Sequence, residues 1–266
     1  LDVSICFNNF TDLTATGGVN YLWNTGDVTS TINVCPNTTT TYIITVTDAN
    51  GCTDSDDVTV TVWPLPTVDA GADVSICLND CTDLTATGGV GYLWNTGDIT
   101  ATINVCPAAT TTYTITVTDA NGCTDSDEVV VTVWPLPTAD AGPNITICMN
   151  SCDNITATGG VGYAWNTGST NALINVCPVV PTTYTVTVTD INGCTDSDQM
   201  SVSIIPQPIA NAGPDNAICE YESYTLAGTA SNQASVLWTT SGDGGFNNTT
   251  IINPVYTPGP NDIANG

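Results

Sequence analysis

The sequence predicts an all-β protein, built as a tandem array of four small β-sandwich domains that are stapled by disulfides. The first observation is an alternation of apolar residues with threonine in the segment Thr112–Trp134, where Tyr113 and Val117 lie on the same face. A period of two is typical of half-buried strands. The second observation is that cysteines recur every 71 residues, as from Cys6 to Cys77. A fixed period of this size indicates an array of similar units.

The longest predicted elements are the two strands of a β-hairpin that occurs three times. In Thr112–Trp134 the turn contains Asn121 and Gly122, which tolerate the positive φ of a tight turn, and Cys123 follows at the tip. The equivalent hairpins are Thr41–Trp63 and Thr183–Ile205.

Shorter alternating segments precede the hairpin in each repeat, and they are clearest in the second repeat. Turn residues such as Gly88 and Gly89 bound them. The predicted strands are Asp73–Leu78, Thr82–Thr87, Val90–Asn95 and Ile99–Val105. Strands at roughly 8–12-residue spacing, without a helical period, favour a β-sandwich.

Two prolines in four residues mark the end of each of the first three repeats. The segments are Trp63–Pro66, Trp134–Pro137 and Ile205–Pro208. Because proline restricts φ, these segments predict stiff, extended joints, and we expect the apolar residue that opens each one to cap the neighbouring domain. The alternative is a strand-end side chain without a partner. The predicted domains are 1–66, 67–137, 138–208 and 209–266, and we expect the first and last to be incomplete pieces of a longer parent protein.

Composition limits the functions open to the chain. It has 26 Asp and Glu but no Lys, Arg or His, so its formal net charge is −26, which excludes nucleic acid and anionic membrane surfaces as partners. Without a His or Lys base, a Ser or Cys nucleophile cannot be activated. Paired carboxylates could still hydrolyse glycosides, but nearly every acid lies in a turn or linker of a repeated unit, so we expect no enzyme activity. No apolar run is long enough for direct membrane insertion. Domains of about 70 residues usually need covalent staples, and the twelve cysteines indicate disulfides in an oxidising compartment.

The third strand of the second repeat carries a resemblance to a known family. Tyr92, Trp94, Gly97 and Asp98 are similar to the Tyr-x-Trp-x-x-Gly-Asp signature of PKD domains, which are immunoglobulin-like sandwiches. The third repeat departs from this signature, with Ser169 in place of the aspartate. With the Val-Thr-Asp-x-Asn-Gly-Cys hairpin tip, the repeats resemble the PKD-like repeats of giant Bacteroidetes surface adhesins, including SprB-like gliding adhesins exported by type IX secretion.

This resemblance implies an extracellular location on a bacterial cell surface. It implies surface polysaccharide or another cell-surface ligand, the type IX secretion machinery and neighbouring repeats of the same chain as partners. The leading hypothesis is a non-catalytic stalk or fibre segment of an adhesin that serves cell adhesion or gliding motility. Two alternatives stay open. A carbohydrate-binding module of an exported enzyme predicts an exposed aromatic platform, and a subunit of a self-assembling filament predicts open sheet edges or a free thiol between subunits.

The cysteines of one repeat allow three pairings, and the fourth repeat discriminates between them. It keeps Cys219 but has Ser223 where Cys81 stands in the second repeat, and it has no counterpart of Cys106. Because the two inner cysteines are lost together, we expect them to pair with each other. The predicted bridges are Cys6–Cys52, Cys77–Cys123, Cys81–Cys106, Cys148–Cys194 and Cys152–Cys177. Cys35 and Cys219 are expected to be unpaired, Cys219 because its partner would lie beyond residue 266.

The hairpin tips carry candidate Ca²⁺ ligands, because several carboxylate and amide oxygens share one loop. They are Asp48, Asn50, Asp54 and Asp56, then Asp119, Asn121, Asp125 and Asp127, then Asp190, Asn192, Asp196 and Asp198. In a sandwich these loops would face the linker acids Asp69, Asp73 and Asp140, so Ca²⁺ would be an ion of the joint and not a required cofactor. The alternative is that they are solvated turn residues, as Asp and Asn often are.

Three serines and one tryptophan are further candidates for a functional role. Ser55, Ser126 and Ser197 lie in Asp-Ser-Asp triplets that resemble the acceptor motif for bacterial O-glycosylation. Trp94 is expected to fill the sandwich core and not to stack on a ligand.

Overall fold

A computed structural model describes residues 2–265, and these residues form immunoglobulin-like β-sandwich domains in tandem. The chain divides into two compact units, Leu1–Leu136 and Pro137–Gly266. The first unit contains the first two repeats and the second contains the third and fourth.

Each of the first three repeats contributes six strands. In the first repeat they are β1 (Val3–Cys6), β2 (Thr11–Thr14), β3 (Asn20–Trp23), β4 (Thr31–Val34), β5 (Thr40–Thr47) and β6 (Thr53–Trp63). In the second they are β7 (Val74–Cys77), β8 (Thr82–Thr85), β9 (Gly91–Trp94), β10 (Thr102–Val105), β11 (Thr111–Thr118) and β12 (Thr124–Trp134). In the third they are β13 (Ile145–Cys148), β14 (Asp153–Thr156), β15 (Gly162–Trp165), β16 (Leu173–Val176), β17 (Thr182–Thr189) and β18 (Thr195–Ile205).

These strands form the same two sheets in each repeat. In the second repeat a four-stranded sheet has the order β7-β12-β11-β9, and a two-stranded sheet pairs β8 with β10. All the pairs are antiparallel except that of β7 with β12, which is parallel and sets Val74 opposite Val131 and Cys77 opposite Trp134. The first strand therefore runs in the same direction as the last strand of its own domain.

The predicted hairpin forms with the expected faces. In β11, Tyr113, Ile115 and Val117 are at most 7% exposed, because their alternation with threonine places all three in the core between the sheets. Gly122 adopts a φ of 85° in the turn to β12, a backbone conformation that glycine reaches without steric cost.

Trp94 is central to the second-repeat core. Its side chain is 1% exposed, and its indole N–H donates a hydrogen bond to the backbone oxygen of Thr100 at 3.0 Å. The equivalent residues Trp23 and Trp165 are 3% and 4% exposed and make the same bond. The tryptophan thus fills the sandwich as predicted, since its polar atom has a partner inside the fold.

The four short strands predicted for the second repeat are all shorter in the structure than the sequence pattern indicated, as two of them illustrate. Asp73 lies before β7, and its carboxylate accepts a hydrogen bond from the Val130 N–H at 2.8 Å. Ile99 lies before β10 and is 74% exposed. The alternation in the sequence extends beyond both strands, but backbone pairing with a neighbouring strand does not.

The fourth repeat has shorter strands than the others. They are β19 (Ile209–Asn211), β20 (Tyr224–Thr225), β21 (Thr229–Ser231), β22 (Gly245–Phe246) and β23 (Val255–Thr257), followed by the helix α1 (Pro260–Asn265). Phe246 packs between Trp238 and Tyr256, with ring centroids 6.1 and 5.2 Å away. Among residues 2–265, no helix is long and apolar enough to cross a membrane.

Candidate functional site: the joint between the first two repeats

A disulfide joins the first repeat to the second. It links Cys6, the last residue of β1, to Cys123, at the tip of the β11–β12 hairpin, with 5.5 Å between their Cα atoms. Cys123 is completely buried, whereas its counterpart Cys52 in the first repeat is exposed. The consecutive repeats are therefore connected twice, once by the linker and once by this bond.

The predicted outer bridges are wrong. Because Cys6 is bonded to Cys123, neither Cys6–Cys52 nor Cys77–Cys123 forms. Cys148–Cys194 does not form either, because Cys148 is a free thiol.

The cause of this error is strand direction. Cys77 lies opposite Trp134, at the far end of the 11-residue strand β12 from Cys123. That distance is roughly 35 Å at strand geometry, whereas a disulfide requires Cα atoms within about 7 Å. A tip cysteine can therefore reach a neighbouring domain but not the strand-end cysteine of its own domain.

The inner bridges form between the predicted cysteines. Cys81 is bonded to Cys106 and Cys152 to Cys177, each with 4.2 Å between the Cα atoms. Each bridge connects the turn after the first strand of its repeat to the turn after the fourth strand. In the first repeat Phe10 replaces the first of these cysteines, and Cys35 is a free thiol.

The remaining cysteines fall into two groups. Cys77 and Cys194 are disulfide-bonded, and they hold the strand-end and tip positions one repeat further along the chain than Cys6 and Cys123. The free thiols among the described residues are Cys35, Cys52, Cys148 and Cys219.

The loop that presents Cys123 is held by Asp119. Its carboxylate accepts hydrogen bonds from the N–H groups of Asn121 at 2.9 Å and of Cys123 at 2.8 Å. Burial raises the pKa of Asp119, but these hydrogen bonds outweigh it and hold the pKa below its usual value. Asp48 and Asp190 make equivalent bonds. The first acid of each predicted Ca²⁺ loop thus serves to shape the hairpin tip.

The last acid of the second loop fastens the linker. Asp127 accepts a hydrogen bond at 2.9 Å from the backbone N–H of Ala70, which is 1% exposed, and Asp198 does the same for Ala141. The bond from Ala70, reinforced by one from the Glu128 N–H, lowers the pKa of Asp127. The sequence pattern does not reveal this role, because Ala70, the hydrogen-bond partner of Asp127, lies 57 positions away in the chain.

The linker acids also have structural partners. Asp69 accepts a hydrogen bond from Gly71 N–H and Asp140 one from Gly142 N–H, each at 2.8 Å. Across the described range 2–265, no three His, Cys, Asp or Glu side chains come close enough to hold a metal ion. Calcium binding therefore stays a prediction from sequence.

The candidate glycosylation serines lie on strands, not on loops. Ser55, Ser126 and Ser197 are exposed in β6, β12 and β18, and the Ser55 hydroxyl shares a hydrogen bond with Thr45 at 3.0 Å. They are accessible, and their modification stays a prediction.

The residues expected to cap the joints are only partly covered. Trp63, Trp134 and Ile205 are 37%, 38% and 52% exposed.

In the fourth repeat, Trp238 and Ile252 line a cavity of about 310 Å³ beside Val236.

Comparison with known proteins shows no family for this chain. No protein-family model matches the chain, and no curated protein matches it in sequence. The structure is similar to the N-terminal eight immunoglobulin domains of Down Syndrome Cell Adhesion Molecule. The match has 12% sequence identity, covers 96% of this chain and 48% of that chain, and has a TM-score of 0.35. The chain thus spans about half the length of that structure.

Two other solved structures are similar to a smaller share of the chain. Extracellular domains 3–5 of Drosophila OTK match with 10% identity over 76% of this chain and 94% of that chain, at a TM-score of 0.31. The second is SGBP-B of the Bacteroides ovatus mixed-linkage glucan utilization locus, in complex with a mixed-linkage heptasaccharide. It matches with 16% identity over 78% of this chain and 66% of that chain, at a TM-score of 0.20. These likenesses concern the fold alone.

Proposed function

We propose that this chain is a non-catalytic stalk segment of a giant extracellular adhesin on a bacterial cell surface. The observation that carries the proposal is the Cys6–Cys123 disulfide, because it fixes one repeat to the next across a linker that already contains two prolines. A chain whose domains are tied at the joints is suited to hold a distal site away from a surface.

Charge and chemistry support the same role. Twenty-six carboxylates face no Lys, Arg or His, so neighbouring domains repel each other and favour an extended array. The absence of His and Lys, which activate Ser and Cys nucleophiles, fits a part without nucleophilic catalysis. The resemblance to PKD-like repeats of Bacteroidetes adhesins adds type IX secretion, gliding motility and a surface polysaccharide ligand to the proposal.

Small-angle scattering of the oxidised chain tests the stalk. A compact protein of 266 residues has a radius of gyration of about 18 Å. The proposal predicts a clearly larger radius that is retained when NaCl is raised enough to screen charge repulsion. A radius near 18 Å at both salt concentrations would refute it.

A carbohydrate-binding module is the second candidate function. It is favoured by the groove at Trp238, which is the 310 Å³ cavity of the fourth repeat described above. The groove has an indole ring and the apolar side chains of Val236 and Ile252, a combination on which a sugar ring can pack. Affinity electrophoresis in mixed-linkage glucan tests this function, with Trp238→Ala as the groove variant. Retardation of the wild type that Trp238→Ala loses would support it, and equal mobility with and without glucan would exclude it for this polysaccharide.

A further inference from the structure

The Cys6–Cys123 bond changes which parts of the chain can carry tension. Cys6 lies opposite Trp63, the residue at which the last strand of the first repeat ends. Cys123 lies directly before β12, the last strand of the second repeat. A force that enters near the N-terminus can therefore pass from β1 through the disulfide into β12 without following the chain between them.

We propose that this bond gives the array a tension-bearing function, in which force bypasses residues 7–122 and runs through the disulfide and β12. The bond closes a covalent ring that spans 117 positions of the sequence. Within that ring lie the hairpin of the first repeat, the linker and five of the six strands of the second repeat. The bypass deepens the stalk function proposed above, although the bond is testable without it.

The consequence is a fixed limit on extension. A stretched chain reaches about 3.4 Å per residue, so a ring of 117 positions withholds about 400 Å of chain. Even if both domains unfold, that length stays unavailable while the disulfide is intact. The inner bridge Cys81–Cys106 lies wholly inside the ring, so it adds nothing to this limit.

Two carboxylates of the second repeat hold the backbone near the Cys123 end of this bond. The carboxylate of Asp119 holds the backbone of the tip, and Asp127 at 2.9 Å from the Ala70 N–H ties the linker to β12. Cys123 is fully buried, which protects the disulfide from soluble thiols. The same strand-end and tip positions recur at Cys77 and Cys194, which are also disulfide-bonded.

Single-molecule pulling of the full chain tests the bypass. One handle is attached at the N-terminus and the other at Thr138, an exposed linker position, through an unnatural amino acid. In the oxidised wild type, roughly 22 residues lie on the covalent path between the handles, so we expect a final contour length of about 80 Å. The Cys6→Ser/Cys123→Ser variant should lengthen by about 310 Å, because the intact Cys81–Cys106 bridge still withholds 25 of the 117 positions.

Two comparisons make the result decisive. The Cys81→Ser/Cys106→Ser variant should keep the short wild-type length. Adding a phosphine reductant to a wild-type molecule should lengthen it by about 400 Å, because the reductant opens both bridges. Because final length depends on covalent connectivity, a variant that fails to fold is still informative. A long contour length in the oxidised wild type would overturn the proposal, and the scattering test of the stalk would be unaffected.

Discussion

Cys77 lies directly opposite Trp134 in the parallel pairing of β7 with β12, at the end of the domain away from Cys123. Because Cys77 is too far from Cys123 to bond to it, we expect mass spectrometry to find Cys123 bonded to Cys6 of the preceding repeat. Non-reducing digestion with an Asp-directed protease, since the chain has no tryptic site, should release a peptide pair that joins Cys6 to Cys123. A Cys6–Cys52 or Cys77–Cys123 pair would contradict the parallel register.

The second prediction concerns the buried tryptophan of the second repeat. Trp94→Ala removes a side chain that is 1% exposed and its hydrogen bond to Thr100, so it should lower the free energy of unfolding by about 3–5 kcal/mol. Leu93→Ala, at a neighbouring residue that is 52% exposed, is the matched control and should change it by less than about 0.5 kcal/mol. Urea denaturation followed by circular dichroism measures both. Equal effects would show that Trp94 is not central to the core.

The third prediction concerns the inner bridge. Cys81 and Cys106 are 25 positions apart, and a loop of that length restricts the unfolded chain enough to contribute about 3–4 kcal/mol. The Cys81→Ala/Cys106→Ala variant should therefore melt at a lower temperature than the wild type in calorimetry. The first repeat lacks this bridge, so its transition should not move. A shift in that transition would show that the loss is not local to the second repeat.

The sequence predicted the sandwich because its signals are local. Alternation of Tyr113 and Val117 with threonine specifies which face is buried, and Asn121 with Gly122 specifies the turn. The inner disulfide was also predictable, since the fourth repeat lacks both of its cysteines. These inferences need only neighbouring residues or comparison between copies.

The joint was not predictable because its determinants are not local. Residue alternation is the same in parallel and antiparallel strands, so nothing near Cys77 shows that β7 runs parallel to β12. Without that direction, the hairpin tip cannot be assigned to one end of the domain. The roles of Asp119 and Asp127 were missed for a related reason, because a carboxylate that accepts backbone hydrogen bonds looks in sequence like a solvated or metal-binding one.

The fourth prediction is a pH dependence at the linker. Hydrogen bonds from Ala70 and Glu128 lower the pKa of Asp127 in the folded state. A lowered folded-state pKa means that the stability contribution is fully present above the usual carboxyl pKa near 4 and is lost as the pH falls through the lower folded value. Melting temperatures measured from pH 6 to pH 2 should therefore fall more steeply below pH 4 for the wild type than for Asp127→Ala.

A matched variant separates this effect from general acid denaturation. Asp125→Ala removes a carboxylate of the same strand that accepts a bond from the neighbouring Ser126 N–H and not from the linker. Its profile should follow that of the wild type. If Asp127→Ala also follows the wild type, the bond to Ala70 does not contribute to stability.

The fifth prediction concerns Ca²⁺ binding at the hairpin tips, which the sequence predicts. If the tip acids bind the ion, Ca²⁺ should raise the melting temperature more than NaCl of matched ionic strength, because specific binding to the folded state adds to screening. Asp125→Asn removes a candidate ligand charge and should reduce that extra increase. Asp153→Asn, an exposed charge on β14 outside the tips, is the control and should leave it unchanged. Identical melting in Ca²⁺ and in matched NaCl would remove Ca²⁺ from the joint and leave Asp119 and Asp127 with the structural roles described above.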